Sequence, residues 1–422
     1  MNQENPSPVF SKIGKLLLSI GPGIFCLGYT IGTGSVTAMI KAGSQYGMQL
    51  IWVLALSVFF SWMLMEAFGR FAAVTGHTAV NAFKTQLKNG KLLAILVICG
   101  VVAGQWSCLS GILGLTSSAL FETCRLFIPS LAGKEYGIVL GIAIVLIMIL
   151  YSLLLVGRYS FFEKILILFV SIMAGSFLVS MFIVLPEPSE ITAGLIPSIP
   201  IGGHLMVAAF VGTTMAAPTF MVRPLIVKEK GWGKSNLKIQ SRDALVSAIL
   251  MFIISASIMA AATGALFHEG RSVTQVLDMV YALEPIAGKF AVALFMVGAM
   301  SAGLSSVFPI LMVLPLLVGD YQQGRMDTRS GTFRILTAAA CLVGLVVPIT
   351  GANPIAAQVT TQVANVFVLP LVVLGIILLI NRKDLLGENA AGWMLNAGLT
   401  AALLFSIAVS YAGIIGLLEM IG

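Results

Sequence analysis

Eleven apolar runs, each long enough to cross a bilayer and separated by short polar loops, decide what this chain can fold into. A hydrocarbon core of about 30 Å asks for about 20 apolar residues per helix. Inside lipid, every backbone N–H and C=O needs a partner within the protein. The runs cover 14–46, 50–72, 92–121, 136–156, 160–185, 203–227, 243–267, 287–318, 333–350, 354–381 and 392–417, and they read as spans 1 to 11 of an all-α membrane protein. Length alone, 422 residues, would permit two or three soluble domains. A content of 58% hydrophobic and 10% charged residues, with a mean hydropathy of +1.02, excludes them.

The net charge of +7 is topological. With a cytoplasmic N-terminus, only Lys41, Arg125, Lys134, Arg271 and Lys289 of the 24 basic residues fall outside, so 24 − 5 = 19 obey the rule that cytoplasmic loops carry the positive excess. The expectation is therefore an integral, multi-pass protein of the cell (inner) membrane, N-terminus inside and C-terminus outside. Spread over short loops, the basic residues do not form a nucleic-acid surface. The loop from Lys228 to Arg242 suits orientation and attraction to anionic lipid, so the bilayer is the partner it predicts and no obligate protein partner is evident. The polar stretch Met1 to Lys15 runs into a glycine-rich segment without a small-residue cleavage pattern, which predicts no removable signal peptide. Ser272 to Glu284 has helical periodicity but is too short to span, and is expected at the outer surface.

Two spans are interrupted near mid-membrane. Span 1 carries Gly21-Pro22-Gly23 and then Gly32-Thr33-Gly34-Ser35, and span 6 carries Gly212-Thr213-Thr214-Met215-Ala216-Ala217-Pro218. Within a helix Gly costs about 1 kcal/mol and Pro about 3 kcal/mol, so residues of this kind at that depth imply that the freed backbone groups have another use. Non-helical backbone there is tolerated only where it lines protein or a watery cavity. The interruptions lie 212 − 32 = 180 residues, or five spans, apart, the arrangement of inverted repeats with a substrate site between them. The competing explanation, close helix contact through small residues, accounts for the glycines but not for Pro218.

The residues also carry a resemblance. Gly21-Pro22-Gly23, the lead-in around Tyr29, Lys41-Ala42-Gly43, Tyr46-Gly47-Met48 and Val74-Thr75-Gly76 resemble the first two helices of the natural resistance-associated macrophage protein (Nramp) metal transporters, and Thr361-Gln362-Val363 through Leu369-Pro370 resembles that family's tenth helix. The resemblance implies a leucine-transporter-like fold with inverted five-helix repeats at about 14–185 and 203–381, plus an extra helix at 392–417. It also implies inward, proton-coupled carriage of divalent ions such as manganese and iron. The family's metal site, an Asp-Pro-Gly-Asn stretch in helix 1 and a Met-Pro-His stretch in helix 6, is replaced here. Gly32, Ser35 and Ala216 stand where ligands are usual, and only the helix 10 glutamine matches, as Gln362. Helix 3 has Gln105 and Cys108 where acidic residues for proton movement are usual, and Arg223 stands near a histidine position of helix 6.

The acids follow the same pattern, for on the span map all 17 fall in loops or near helix ends. Glu66 alone is a plausible interior acid, and Arg70 four residues later makes an ion pair its simplest use. Cys26, Cys99, Cys108, Cys124 and Cys341 contain no CxxC pair and read as packing residues, while His77, His204 and His268 are too dispersed for a metal cluster. No cofactor and no intramembrane enzyme chemistry is indicated. The expected substrate site is Gly32, Thr33, Gly34, Ser35, Thr213, Thr214, Ala216 and Gln362, at the midplane between spans 1, 3, 6, 8 and 10, with Gln105, Cys108, Gln358 and Asn365 along the pathway. Backbone carbonyls and these neutral groups suit a largely hydrated hard dication better than a dehydrated soft one. A one-residue shift could bring the Met215 sulfur inward. Three functions remain in view. The first is alternating-access transport of a divalent cation through a neutral site. The second is transport of a small neutral or carboxylate-bearing solute such as an amino acid, held by the half-helix N–H groups. The third is a non-transporting sensor or scaffold.

Overall fold

A computed structural model of the chain describes residues 21–131, 133–156, 159–183, 186–270, 272–273 and 276–421. Every regular element among them is helical. Among the described residues, ten helices are long and apolar enough to cross a bilayer, and a bent pair in the first span brings the number to eleven. That pair is α1 (Pro22–Thr30) and α2 (Thr33–Tyr46), which meet at a bend of 48°. Span 2 is α3 (Ile51–Thr75), span 3 is α5 (Gly90–Phe127), span 4 is α6 (Glu135–Leu154) and span 5 is α7 (Tyr159–Ile183). After a single-turn α8 (Pro188–Ala193), span 6 is again split, into α9 (His204–Thr214) and α10 (Ala217–Glu229). Span 7 is α11 (Leu237–Ala262), span 8 lies in α12 (Val276–Gln323), and span 9 is α13 (Gly331–Gly344) with α14 (Val346–Thr350). Span 10 is α15 (Pro354–Ile380), and after a short α16 (Lys383–Leu386) span 11 is α17 (Trp393–Ile421). Residues 14–20 of the first expected run lie outside the described residues.

The long α5 is the centre of the packing, lying against α12 on one side and α15 on the other, while α11 packs on α3 and α2, and α9 on α15 and α17. Hydropathy alone draws the span edges too tightly. α11 starts six residues before its expected edge, because Lys238, Gln240, Arg242 and Asp243 are polar yet helical. Asp243, expected at a loop boundary, is therefore in the second turn of α11 and 3% exposed. Of the expected surface helix over Ser272–Glu284, the backbone is helical from Val276 onward while the side chains from Val276 to Glu284 lie outside the described residues; the helix breaks at Gly288, whose φ of 74° only glycine adopts readily.

One helix had no hydropathy signal at all. α4 (Ala79–Gln86) follows the left-handed Gly76 that ends α3. Its N-terminus lacks a cap from its own chain segment. Asp320, at the far end of α12 and fully buried, supplies one by accepting hydrogen bonds from the Thr78 hydroxyl, the Val80 N–H at 2.9 Å and the Asn81 N–H at 3.2 Å. A carboxylate at a helix N-terminus meets both unpaired N–H groups and the positive end of the dipole. Lys84 Nζ then donates to the Tyr321 carbonyl at 2.9 Å, and Lys228 Nζ to the Gly324 carbonyl at 2.8 Å, so α4 and α10 are both pinned to the end of α12. Acids expected to be solvated thus act as buried staples. Glu66 does pair with Arg70 (2.6 Å), as its spacing suggests, and also accepts from Gln240 Nε2 at 3.0 Å.

Candidate functional site

Both interruptions have the local causes expected of them. Ile31 ends α1 at φ −92°, ψ 66°, and Gly32 takes an extended conformation before α2 begins. Met215 ends α9 at φ −101°, ψ 42°, and Pro218 occupies the first turn of α10, where its missing N–H costs nothing. The freed carbonyls at the end of α1 find donors on other helices. Ser306 Oγ of α12 donates to the Gly28 carbonyl at 2.9 Å, and Thr213 Oγ1 donates to the Thr30 carbonyl at 3.3 Å. At the end of α9, Ser61 Oγ of α3 donates to the Thr214 carbonyl at 2.9 Å.

Where the breaks meet α5, α12 and α15 there is a cavity of about 20 Å3, room for one water-sized occupant. Its walls include Gly32, Gly34, Thr213, Ala216 and Gln362 of the expected substrate set, and Gln105, Cys108 and Asn365 of the expected pathway set. Ser35, Thr214 and Gln358 do not face it, and the Thr33 side chain lies outside the described residues. The Ser35 and Thr214 hydroxyls are buried without a hydrogen-bond partner among the described residues. Ala216 reaches the wall and Met215 does not, so the register shift that would turn the Met215 sulfur inward is not adopted. Tyr29, Ile112, Ser306 and Ile310 also line the cavity and were not singled out as site residues. In the sequence Tyr29 stands about one turn before the Gly32 break, with nothing local to turn it toward a site. Ser306 had no signal beyond a small hydroxyl on span 8.

Gln362 is where the two broken spans converge. A Cβ added at Gly34 would overlap the Gln362 side-chain amide, and one added at Gly212 would overlap the Gln362 carbonyl. The glycines of both interruptions thus let α15 approach closely. The Gln362 amide sits in a polar ladder between α15 and α5. Gln105 Nε2 donates to Asn365 Oδ1 (2.8 Å), Asn365 Nδ2 to Gln362 Oε1 (3.0 Å), Gln362 Nε2 to Cys108 Sγ (2.9 Å), and Gln358 Nε2 to the Cys108 carbonyl (2.7 Å). The helix 10 polar stripe therefore has two uses, since Gln362 and Asn365 face the cavity while the stripe as a whole binds the neighbouring helix. Gln105 likewise both lines the cavity and bridges.

No Asp, Glu, His, Lys or Arg is among the lining residues, and no group of three or more metal-ligating acid, His or Cys side chains occurs among the described residues. Charge lies nearby, and its position corrects the sequence reading. Arg223, counted there with the cytoplasmic loops, is fully buried in α10, seven residues and hence about 10 Å along the helix from Ala216. Its Nη2 donates to Asp243 Oδ2 at 2.7 Å, and its Nη1 lies 3.7 Å from Cys26 Sγ. The same Asp243 carboxylate accepts from the Gly21 N–H at 2.6 Å and the Gly23 N–H at 3.1 Å, capping α1 from α11. Three elements are held by one carboxylate. Sequence hides this arrangement because it joins positions 21, 223 and 243, which only tertiary packing brings together.

Residues 23–416 match the family model described as "Natural resistance-associated macrophage protein-like". The divalent metal cation transporter MntH of Acidiphilium cryptum is 22% identical over 418 residues, 96% of this chain and 91% of that protein. The protein of the same description from Clostridium acetobutylicum is 25% identical over 200 residues, an alignment spanning 46% of this chain and 45% of that protein. Among solved structures, a histidine-to-alanine mutant of the Eremococcus coleocola manganese transporter superposes with a TM-score of 0.69 at 15% identity, covering 98% of this chain and 90% of that one.

Proposed function

This chain belongs to the natural resistance-associated macrophage protein-like family, and from that premise we propose that it is a secondary transporter carrying a divalent metal cation across the membrane by alternating access, through a site of neutral ligands. It is an integral membrane protein with a leucine-transporter-like fold and not an enzyme. The observation that carries the reading is the cavity where both interrupted spans meet. Its volume of about 20 Å3 admits a single ion or water, whereas sites for organic ligands run to about 300 Å3 and more. The same observation weighs against an amino acid or similar solute as cargo.

Carbonyl and amide oxygens at such a point replace only part of a dication's hydration and bring no compensating negative charge, so the ion binds weakly. Micromolar, stoichiometric manganese binding by calorimetry is therefore not expected. Transport is. Proteoliposomes containing the purified protein should take up manganese or magnesium above empty-vesicle background, with saturation. Uptake of neither ion, alongside accumulation of an amino or organic acid, would remove this reading in favour of the organic solute. We further propose that residues 14–185 and 203–381 are two inverted repeats with the site between them, with the N-terminus cytoplasmic and the C-terminus outside; the basic residues of the loops support this orientation.

A further inference from the structure

The cavity wall holds two groups that hard-ion transport through amides does not use. Cys108 Sγ, on α5 and 1% exposed, lines the cavity and accepts a hydrogen bond from Gln362 Nε2 at 2.9 Å. The Tyr29 hydroxyl belongs to a side chain 5% exposed on the same wall, from the end of α1, and is buried without a hydrogen-bond partner among the described residues. A phenolic oxygen buried without a partner forgoes a hydrogen bond, a cost that an occupant of the cavity would relieve. Packing alone does not account for the Tyr29 hydroxyl, since phenylalanine would fill that wall without leaving a polar atom over, and the Cys108 thiol beside it is held in place by donating to Gln358 Oε1 at 3.5 Å.

We propose that Cys108 and Tyr29 are substrate ligands, and that together with Gln362 they make this a site for a soft or borderline transition dication in preference to a hard one. The inference rests on the metal-cation reading above and deepens it. Sulfur is what distinguishes softer ions from magnesium and calcium, which prefer oxygen. Met215 does not face the cavity, so a thiol from α5 supplies the sulfur from another direction. On coordination the Cys108 S–H bond is replaced by a sulfur–metal bond, and the proton passes to water. The thiolate so formed gives the ion the negative partner that the resting cavity lacks. The Gln362 amide is already donating to that sulfur and would continue to do so after the proton leaves.

The test uses cadmium as the soft probe and magnesium as the hard one, on the full-length protein in a Cys99→Ser, Cys124→Ser background that removes the two more accessible thiols. Cadmium should bind at least about tenfold more tightly than magnesium, a difference of about 1.4 kcal/mol. Cys108→Ser should abolish most of that margin, with cadmium affinity falling by a larger factor than magnesium affinity. Tyr29→Phe should weaken both ions. An ultraviolet cadmium–thiolate charge-transfer band should appear at one equivalent, vanish in Cys108→Ser, and persist when Cys108 is the only cysteine retained. That last protein carries the test if Cys108→Ser does not fold. Unchanged cadmium affinity in Cys108→Ser, or no band with Cys108 alone, overturns the inference and leaves the transport of harder metals standing. Failure of every divalent ion to bind or move overturns the metal reading itself.

Discussion

Asp243→Ala is expected to destabilise the protein by about 3–5 kcal/mol, the cost of stranding a buried cation after its partner is removed. Arg223 has no other anion in its reach among the described ion pairs, and its Nε is already without a partner among the described residues. The substitution also uncaps α1, because the N–H groups of Gly21 and Gly23 lose the same carboxylate. Thermal unfolding in detergent, followed by the loss of monodisperse protein, measures the effect. A double variant, Arg223→Leu with Asp243→Leu, should recover much of the loss, since exchanging a buried pair for apolar residues is often neutral or stabilising while breaking it is not. A melting temperature in Asp243→Ala equal to that of the unchanged protein would falsify the structural role given to this pair.

Gly34→Leu should reduce flux to background. Its Cβ alone would overlap the Gln362 amide, and three further carbons would have to occupy a space of about 20 Å3. Gly34→Ala makes a graded comparison. The atom it meets ends a flexible side chain, so Gln362 can swing away, at the cost of its bonds to Cys108 and Asn365. Overpacking of this kind costs about 1–3 kcal/mol, so the alanine variant should fold and transport at a reduced rate. Radioactive manganese uptake into proteoliposomes compares the two variants. Wild-type flux in Gly34→Leu would mean that the substrate passes elsewhere and that the cavity at Gln362 is not the site.

Much of the fold was legible because hydropathy and glycine-proline interruptions are local signals. Spans 1 and 6 break at Ile31-Gly32 and Met215-Ala216, where Gly32 and Pro218 indicated. Sequence also pointed to Gln362, Gly34 and Thr213, which the structure brings to one cavity. Hidden from it was whatever depends on contact between distant positions. Asp320 looks like a helix-end acid and Arg223 like a loop cation until Thr78 and Asp243 are seen beside them. Tyr29 and Ser306 carry ordinary hydroxyls, and only the packing of α1 against α12 brings them to the same wall. α4 was missed because an eight-residue helix capped from another span has little periodicity of its own.

The ladder of amides between α5 and α15 has a mechanical consequence. Each rung is buried, and sliding these two helices past one another would leave several donors and acceptors without partners at once, each at about 1–3 kcal/mol. They therefore travel together as one rigid spar. A displacement that exposes the cargo alternately to the two sides would then fall to α1 and α10, which meet at the Asp243 carboxylate through the Gly21 and Gly23 N–H groups and the Arg223 guanidinium.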